Sequence, residues 1–307
     1  MNNTYQPNRL QHLIEQAKAF PPVKVAVVDA TEEHVLIGAF EALEAGLIEP
    51  VLIGKQSEIE ALAEKLGYSC ERCTIIEAHS QKEAADKGVE LVLNGQTQAL
   101  AKGWIHTDAL MHPVLKKLRT SRRISHVFIA DLPNYHKLLF ITDAAINIDP
   151  NLATKADIIQ NAVDLARILG VDMPKVAALS AVEVVKPAIM SSCDAACLSK
   201  MAQRHQITNA IVDGPLAFDN AISKQAAQIK QIDSDVSGEV DILLAPDLNA
   251  GNILAKDIEY LANAAMAGVV IGAQVPIILT SRSDPAIARM ASAAVCSLIH
   301  QHWQELN

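Results

Sequence analysis

The chain has 307 residues, half of them hydrophobic and 20 % charged, a balance that builds a large buried core and excludes extended disorder. Its formal net charge of −9 gives no global attraction to nucleic acid, which calls for a basic face. No window reaches the ~18 consecutive apolar residues of a membrane helix, and the N-terminal Met1-Asn2-Asn3-Thr4-Tyr5-Gln6 lacks the apolar stretch of a signal peptide, so no membrane partner and a cytoplasmic location are expected. At this length two domains with a cleft between them are the default.

From the N-terminus onward, short β-rich runs alternate with amphipathic helical segments, the pattern of a mostly parallel sheet covered by helices. The predicted strands are Val23–Val28, Val51–Ile53, Thr74–Ile76, His126–Ala130, Leu138–Thr142, Lys175–Leu179, Ala210–Val212, Ile242–Leu244, Val269–Ile271 and Pro276–Leu279. Ser57-Glu58-Ile59-Glu60 and Ser80-Gln81-Lys82-Glu83 read as capping boxes at helix starts. Gly46, Gly67, Gly95 and Gly170 stand where helices should stop, since glycine tolerates the left-handed conformation. The last helix, roughly 285–301, has an apolar face of Ile287, Met290, Ala291, Ala294, Val295 and Leu298. Five cysteines, an odd number, fit reduced thiols; Cys193 and Cys197, one helical turn apart, read as buried packing. Cys70-Glu71-Arg72-Cys73 has no second pair, and no metal is expected.

In an open α/β sheet, ligands gather beyond the carboxyl ends of the strands, so the residues after each strand are the candidates for chemistry. After Val212 comes Asp213-Gly214-Pro215-Leu216-Ala217-Phe218-Asp219-Asn220-Ala221, in which Gly214 would admit a ligand close to the backbone; an ordinary turn with Asp219 as helix cap is the equal alternative. After Leu244, the loop Pro246-Asp247-Leu248-Asn249-Ala250-Gly251-Asn252 enters a helix near Gly251 with Lys256 one turn further on. Such a helix start offers N–H groups to phosphate, or is simply capped with the lysine solvated. After Leu279, Thr280-Ser281-Arg282-Ser283-Asp284-Pro285 brings hydroxyls, a guanidinium and a carboxylate together. Arginine can hold phosphate or a developing oxyanion, a serine can hydrogen-bond a thiol or carbonyl oxygen, and Asp284 before Pro285 also reads as an N-cap followed by the first helical residue.

The stretch Gly103-Trp104-Ile105-His106-Thr107-Asp108-Ala109-Leu110-Met111-His112 places two histidines six apart around a helix start, with Thr107 or Asp108 as cap or as substrate contact. Lys116, Lys117, Arg119, Arg122 and Arg123 follow as the densest basic run, suited to ligand phosphates or to a solvated face. No G-x-S-x-G elbow, H-E-x-x-H, Walker loop or G-x-G-x-x-G fingerprint is present, which counts against serine hydrolases, zinc hydrolases, P-loop ATPases and ordinary dinucleotide-binding dehydrogenases.

Taken in order, Asp213-Gly214-Pro215-Leu216-Ala217 with Asp219-Asn220-Ala221, Pro246-Asp247 with Gly251-Asn252 and Lys256, and Pro276 followed by Ser281-Arg282 resemble the phosphate acetyl/butyryltransferase family. Thr142-Asp143-Ala144-Ala145-Ile146-Asn147 and Pro174-Lys175-Val176-Ala177 extend the likeness to about residues 20 to 300. His106-Thr107-Asp108, Ser125-His126-Val127 and Asp284 resemble the branch in which such a domain is fused to an enoyl-CoA hydratase-like domain.

The resemblance implies two doubly wound α/β domains of the isocitrate/isopropylmalate dehydrogenase kind, residues 1–124 with 268–307 and residues 125–267, with an active-site cleft between them and a homodimer. It implies reversible transfer of a short acyl group, acetyl to butyryl, between coenzyme A and phosphate, with coenzyme A as substrate and no tightly bound cofactor. By the same resemblance Ser281 contacts the thiol of coenzyme A, Arg282 stabilises phosphate and the transition state, and Asp284 or Asp213 is the base. The implied contacts to phosphate and coenzyme A are Gly214, Pro215, Asn249, Gly251, Asn252, Lys256, His106, Thr107 and His112. Two positions depart from the pattern: the base expected seven residues after the serine is Ala288, and a coenzyme A-binding arginine is replaced by His112. Two rival readings are a non-catalytic acyl-CoA-binding module that partners a hydratase, and a decarboxylating dehydrogenase on the same fold.

Overall fold

A computed structural model describes residues 8–280 and 284–305. The density of internal contacts divides the chain into two compact units, one centred on Ser125–Met266, the other on Leu10–Ile124 with a returning segment from Ala267 onward.

The first stretch runs α1 (Asn8–Ala17), β1 (Val23–Val28), α2 (Glu33–Glu44), β2 (Ile48–Gly54), α3 (Gln56–Leu66), β3 (Thr74–Glu77), α4 (Gln81–Leu93), β4 (Ala99–Lys102) and α5 (Thr107–Lys117). β3, β2, β1 and β4 lie side by side, all parallel. Crossover helices bury their apolar stripes on the strands: Phe40 of α2 stacks on Tyr68 with ring centroids 4.5 Å apart. Gly46, Gly67 and Gly95 carry positive φ after α2, α3 and α4, the left-handed stops the sequence predicts. Ser80 caps α4 by accepting the Glu83 N–H. Ser57 does not cap α3, which starts one residue before it; the Gln56 N–H donates to Glu77 Oε2 (2.8 Å), so a tertiary carboxylate takes the place of the expected box. β4 was not predicted, because Ala99-Leu100-Ala101-Lys102 has no β-branched residue to mark it.

The middle stretch runs β5 (Ser125–Asp131), β6 (Leu139–Thr142), α6 (Leu152–Ile168), β7 (Lys175–Leu179), α7 (Met190–Gln203), β8 (Ile211–Leu216), α8 (Phe218–Ile222), α9 (Lys224–Ile229), β9 (Ile242–Leu244) and α10 (Leu248–Tyr260). Here β6, β9, β7 and β8 are parallel neighbours and β5 pairs antiparallel with β6. Ile141, Leu243, Ala177 and Leu216 point into one core with Val236, Val240 and Ile258. Between α6 and α7 the Lys155 ammonium meets the Asp194 carboxylate at 2.7 Å, only 7 % and 17 % exposed. Cys193 is half-buried and Cys197 exposed, against the expectation of two packed thiols, because α7 turns that stripe away from β7 and β8 while Ser192, Ala195 and Leu198 face inward.

β10 (Ala265–Ile271) and β11 (Ile277–Ile278) then bring the chain back to the first strands. β11 pairs antiparallel with β10 and parallel with β4. The last helix, α11 (Ala286–Glu305), follows. Its inward residues include Ala288, Ala291, Ala294, Val295 and Ile299; Ile287, Met290 and Leu298 of the expected face are half-buried. Each unit is therefore a helix-covered, mostly parallel α/β sheet. Among the described residues no helix is long and apolar enough to cross a membrane.

Candidate functional site

In the unit around Ser125–Met266, three strand ends carry the predicted residues. The first is β8. The sequence suggested that the strand ends at Val212 with Gly214-Pro215 turning the chain, yet the ladder continues to Leu216, with a register shift opposite Ala177 and Leu179. The irregularity absorbs the two residues that cannot pair regularly: Pro215 lacks an N–H, and the Gly214 N–H donates to Asp213 Oδ1 (2.8 Å). The Gly214–Pro215 peptide is cis. Glycine is required here by the protein itself, since a Cβ at Gly214 would lie 2.8 Å from the Ala178 carbonyl and 3.0 Å from Ala195 Cβ. Asp213 is half-buried. Asp219 does not occupy the cap position of α8, which belongs to Ala217; its exposed carboxylate pairs with Lys230 at 2.9 Å.

The second strand end is β9. α10 starts at Leu248, earlier than the expected Gly251, because Asp247 accepts the Ala250 N–H at 3.0 Å as an N-cap. Three of its leading amides already have protein partners: Leu248 donates to the Ile148 carbonyl, Ala250 to the Asp247 carboxylate and Gly251 to the Asp247 carbonyl. The array of open donors anticipated from the sequence is correspondingly reduced. Gly251 exists for close packing, as its Cβ would overlap the Asp143 carbonyl. Beside it the Asn252 amide donates to the Ala144 carbonyl (3.1 Å). Asn249 is exposed. Lys256 is not simply solvated: it pairs with Glu259 (2.7 Å) and sits 5.5 Å from the centre of the Tyr260 ring.

The third is the end of β6. Asp143, 3 % exposed, accepts four hydrogen bonds: Ala145 N–H (2.9 Å) and Ile146 N–H (3.1 Å) at Oδ1, and Asn147 N–H (3.1 Å) and Nδ2 (2.6 Å) at Oδ2. This locks the Thr142–Asn147 turn against α10.

In the unit around Leu10–Ile124, Ser281 and Arg282 lie outside the described residues. Asp284 is half-buried and its carbonyl accepts a hydrogen bond from Arg289 Nη1 (2.8 Å). α11 begins at Ala286, and its first i→i−4 bond runs from the Arg289 N–H to the Pro285 carbonyl. The cap position thus belongs to Pro285, one residue beyond the expected Asp284. His106, not Thr107 or Asp108, occupies the cap position of α5 and makes no side-chain cap bond. His106 and His112 are exposed and Thr107 half-buried.

One junction escaped sequence reasoning. At the ends of β1 and β4, Asp29 adopts a left-handed backbone (φ 62°), 8 % exposed. Its carboxylate accepts from Thr31 Oγ1 (2.8 Å) and Gln81 Nε2 (3.1 Å), and its carbonyl accepts the Trp104 N–H (2.7 Å). Only the unrecognised β4 could have placed Trp104 there. A cavity opens at these strand ends, lined by Val27, Gly38, Lys102, Gly103, Thr280 and Arg289.

Two mostly parallel α/β units with polar residues beyond the carboxyl ends of their strands place this chain among the α/β proteins that bind ligands at strand ends. A family model described as phosphate acetyl/butaryl transferase matches residues 81–296. A phosphate acetyltransferase of Rickettsia felis is 51 % identical over 294 residues, covering 94 % of this chain and 84 % of the relative. A phosphate butyryltransferase of Clostridium acetobutylicum is 38 % identical over 290 residues, 94 % and 96 % of the two chains. Among solved structures, a branched-chain phosphotransacylase from Enterococcus faecalis V583 superposes with a TM-score of 0.78 at 30 % identity, covering 91 % of this chain and 98 % of that one. The chain belongs to the phosphate acetyl/butyryl transferase family.

Proposed function

We propose that this chain is a phosphate acyltransferase that catalyses acyl-CoA + phosphate = acyl phosphate + CoA in both directions, with acetyl to butyryl groups as substrates. The observation that carries this reading is family membership across residues 81–296, a span that holds every candidate motif described above. Coenzyme A enters as substrate, no tightly bound cofactor takes part, and the working form is a cytoplasmic homodimer.

In the direction of acyl-CoA synthesis, a base removes the proton of the coenzyme A thiol, whose ordinary pKa of about 8.5 leaves little thiolate at neutral pH. Asp284 or Asp213 fills that role. The thiolate attacks the acyl carbonyl, the carbonyl–O(phosphate) bond breaks, and inorganic phosphate leaves as a stabilised anion. Ser281 holds the thiol, while Arg282 neutralises the phosphate and the charge growing on the carbonyl oxygen. Asn249, Asn252 and Lys256 are assigned to phosphate, and His106, Thr107 and His112 to coenzyme A. Gly214, Pro215 and Gly251 contribute by letting the backbone pack closely enough to present their neighbours. Ala288, in the family's base position, is 1 % exposed inside α11 and offers no proton acceptor, which is why the base is assigned to the two aspartates.

The test is release of free thiol from a panel of acyl-CoA thioesters with phosphate, arsenate replacing phosphate to draw the reaction forward. Phosphate-dependent release is expected, with turnover lowered at least a hundredfold in Arg282→Ala, on the order of the 3 to 4 kcal/mol such a donor provides. An Arg282→Ala effect below threefold on both turnover and phosphate binding overturns its role. Thioesters that stay intact across the panel while acyl-CoA still binds would make the chain an acyl-CoA-binding module instead.

A further inference from the structure

We propose that Arg289 is a positioning residue that holds Asp284 in place through its backbone, an inference that rests on the transferase reading of the Ser281–Asp284 segment.

Arg289 lies in the first turn of α11 and its guanidinium is held at two points. Nη1 donates to the Asp284 carbonyl (2.8 Å), and Nη2 donates to Glu41 Oε2 of α2 (2.9 Å). The two side chains of the ion pair are 16 % and 29 % exposed, sheltered enough for the pair to keep a fixed geometry. α2 is cut to receive the arginine: at Gly38, one turn before Glu41, a Cβ would lie 3.0 Å from Arg289 Cδ and 3.2 Å from Nε. Gly38 and Glu41 share one face of α2, so the glycine passes the stem and the carboxylate holds the head.

A planar guanidinium suits this task because its donors diverge at fixed angles, so one group can hold a carbonyl and a carboxylate at once; an ammonium on a flexible stem cannot fix both. Pro285 directs its carbonyl to the Ala288 and Arg289 amides, which secures the helix start next to the Asp284 carbonyl that Arg289 Nη1 holds. Thr280, at the near end of the same segment, lines the cavity that Gly38 and Arg289 also line. A rigid helix pair, α2 and α11, therefore governs where Asp284 sits, and a displacement of about 1 Å at a reacting group is enough to cost on the order of a hundredfold in rate.

The experiment compares wild type with Arg289→Met, Arg289→Lys, Glu41→Gln and Gly38→Ala by steady-state kinetics, thermal unfolding and amide exchange of the peptide spanning residues 279–290. Arg289→Met is expected to lower kcat at least tenfold, with KM for phosphate and acyl-CoA within threefold, out of proportion to the fall in thermal midpoint that losing the Glu41 pair brings, and to speed exchange in that peptide. Arg289→Lys recovers part of kcat. Gly38→Ala lowers kcat several-fold in wild type and adds nothing in the Arg289→Met background, because it acts by moving the arginine. A kcat within twofold of wild type in Arg289→Met, or a loss that parallels a fall in midpoint across the set, overturns the proposal. Should Arg289→Met not fold, Glu41→Gln and Gly38→Ala decide by the same criteria. An inert wild type would sink the transferase reading itself, and the exchange comparison then decides the clamp alone: unchanged exchange overturns it.

Discussion

Replacing Gly251 by alanine should damage this protein, although glycine-to-alanine inside a helix ordinarily stabilises by about 1 kcal/mol. The new Cβ would fall inside 3.0 Å of the Asp143 carbonyl oxygen, and 3.1 Å from both the carbonyl carbon and Ala245 Cβ. That obstacle is backbone, and the four hydrogen bonds to the Asp143 carboxylate keep its turn from yielding. α10 must move away instead, which costs about 3 kcal/mol, the upper end of overpacking penalties. The Asn252 bond to the Ala144 carbonyl is stretched with it, for about 1 kcal/mol more. Less the propensity gain, the net destabilisation is about 3 kcal/mol, or roughly 6 to 12 °C in midpoint at 2 to 4 °C per kcal/mol for a unit of this size. Differential scanning calorimetry with a guanidinium titration measures it. A Gly251→Ala protein as stable as wild type would refute the packing argument and return Gly251 to the role of a ligand-facing residue.

The remaining expectations follow from individual contacts. Lys155→Met leaves the sheltered Asp194 carboxylate without its cation and should cost about 3 to 5 kcal/mol in a denaturant titration, most of it recovered when Asp194→Leu is added; a loss that the second change leaves in full would contradict the pairing. His300 is held below the ordinary 6.5 by burial, so its neutral form is favoured in the folded protein. Its contribution is complete above pH 6.5 and lost as pH falls through the folded value, so His300→Gln should flatten the decline in stability below pH 6.5; an unchanged slope rejects this. A thiol reagent should label exposed Cys197 in the native protein and reach Cys296, buried in α11 with its thiol pushed far up, only on unfolding, as peptide mapping of the label would show.

How much of this was legible beforehand differs by element. β1, β7 and β9 were placed to the residue because Val, Ile, Leu and Ala crowd into short runs, and the stops at Gly46, Gly67, Gly95 and Gly170 because only a left-handed residue fits there. The ordered motifs around Asp213, Asp247 and Ser281 likewise named the family from the residues alone. What the sequence could not decide is what each polar or small residue answers to in space. Gly214 read equally as an opening for a ligand or as an ordinary turn, and Gly251 as the start of a helix, while the tertiary structure put the Ala178 and Asp143 carbonyls against them. Arg289 carried no local signal, since its partners Glu41 and Asp284 come from distant and adjacent parts of the chain that only the return of β11 beside β4 brings together. Periodicity and backbone stereochemistry are local and survive in one dimension; the partner of a hydrogen bond or the neighbour of a missing Cβ is fixed only when the chain closes on itself.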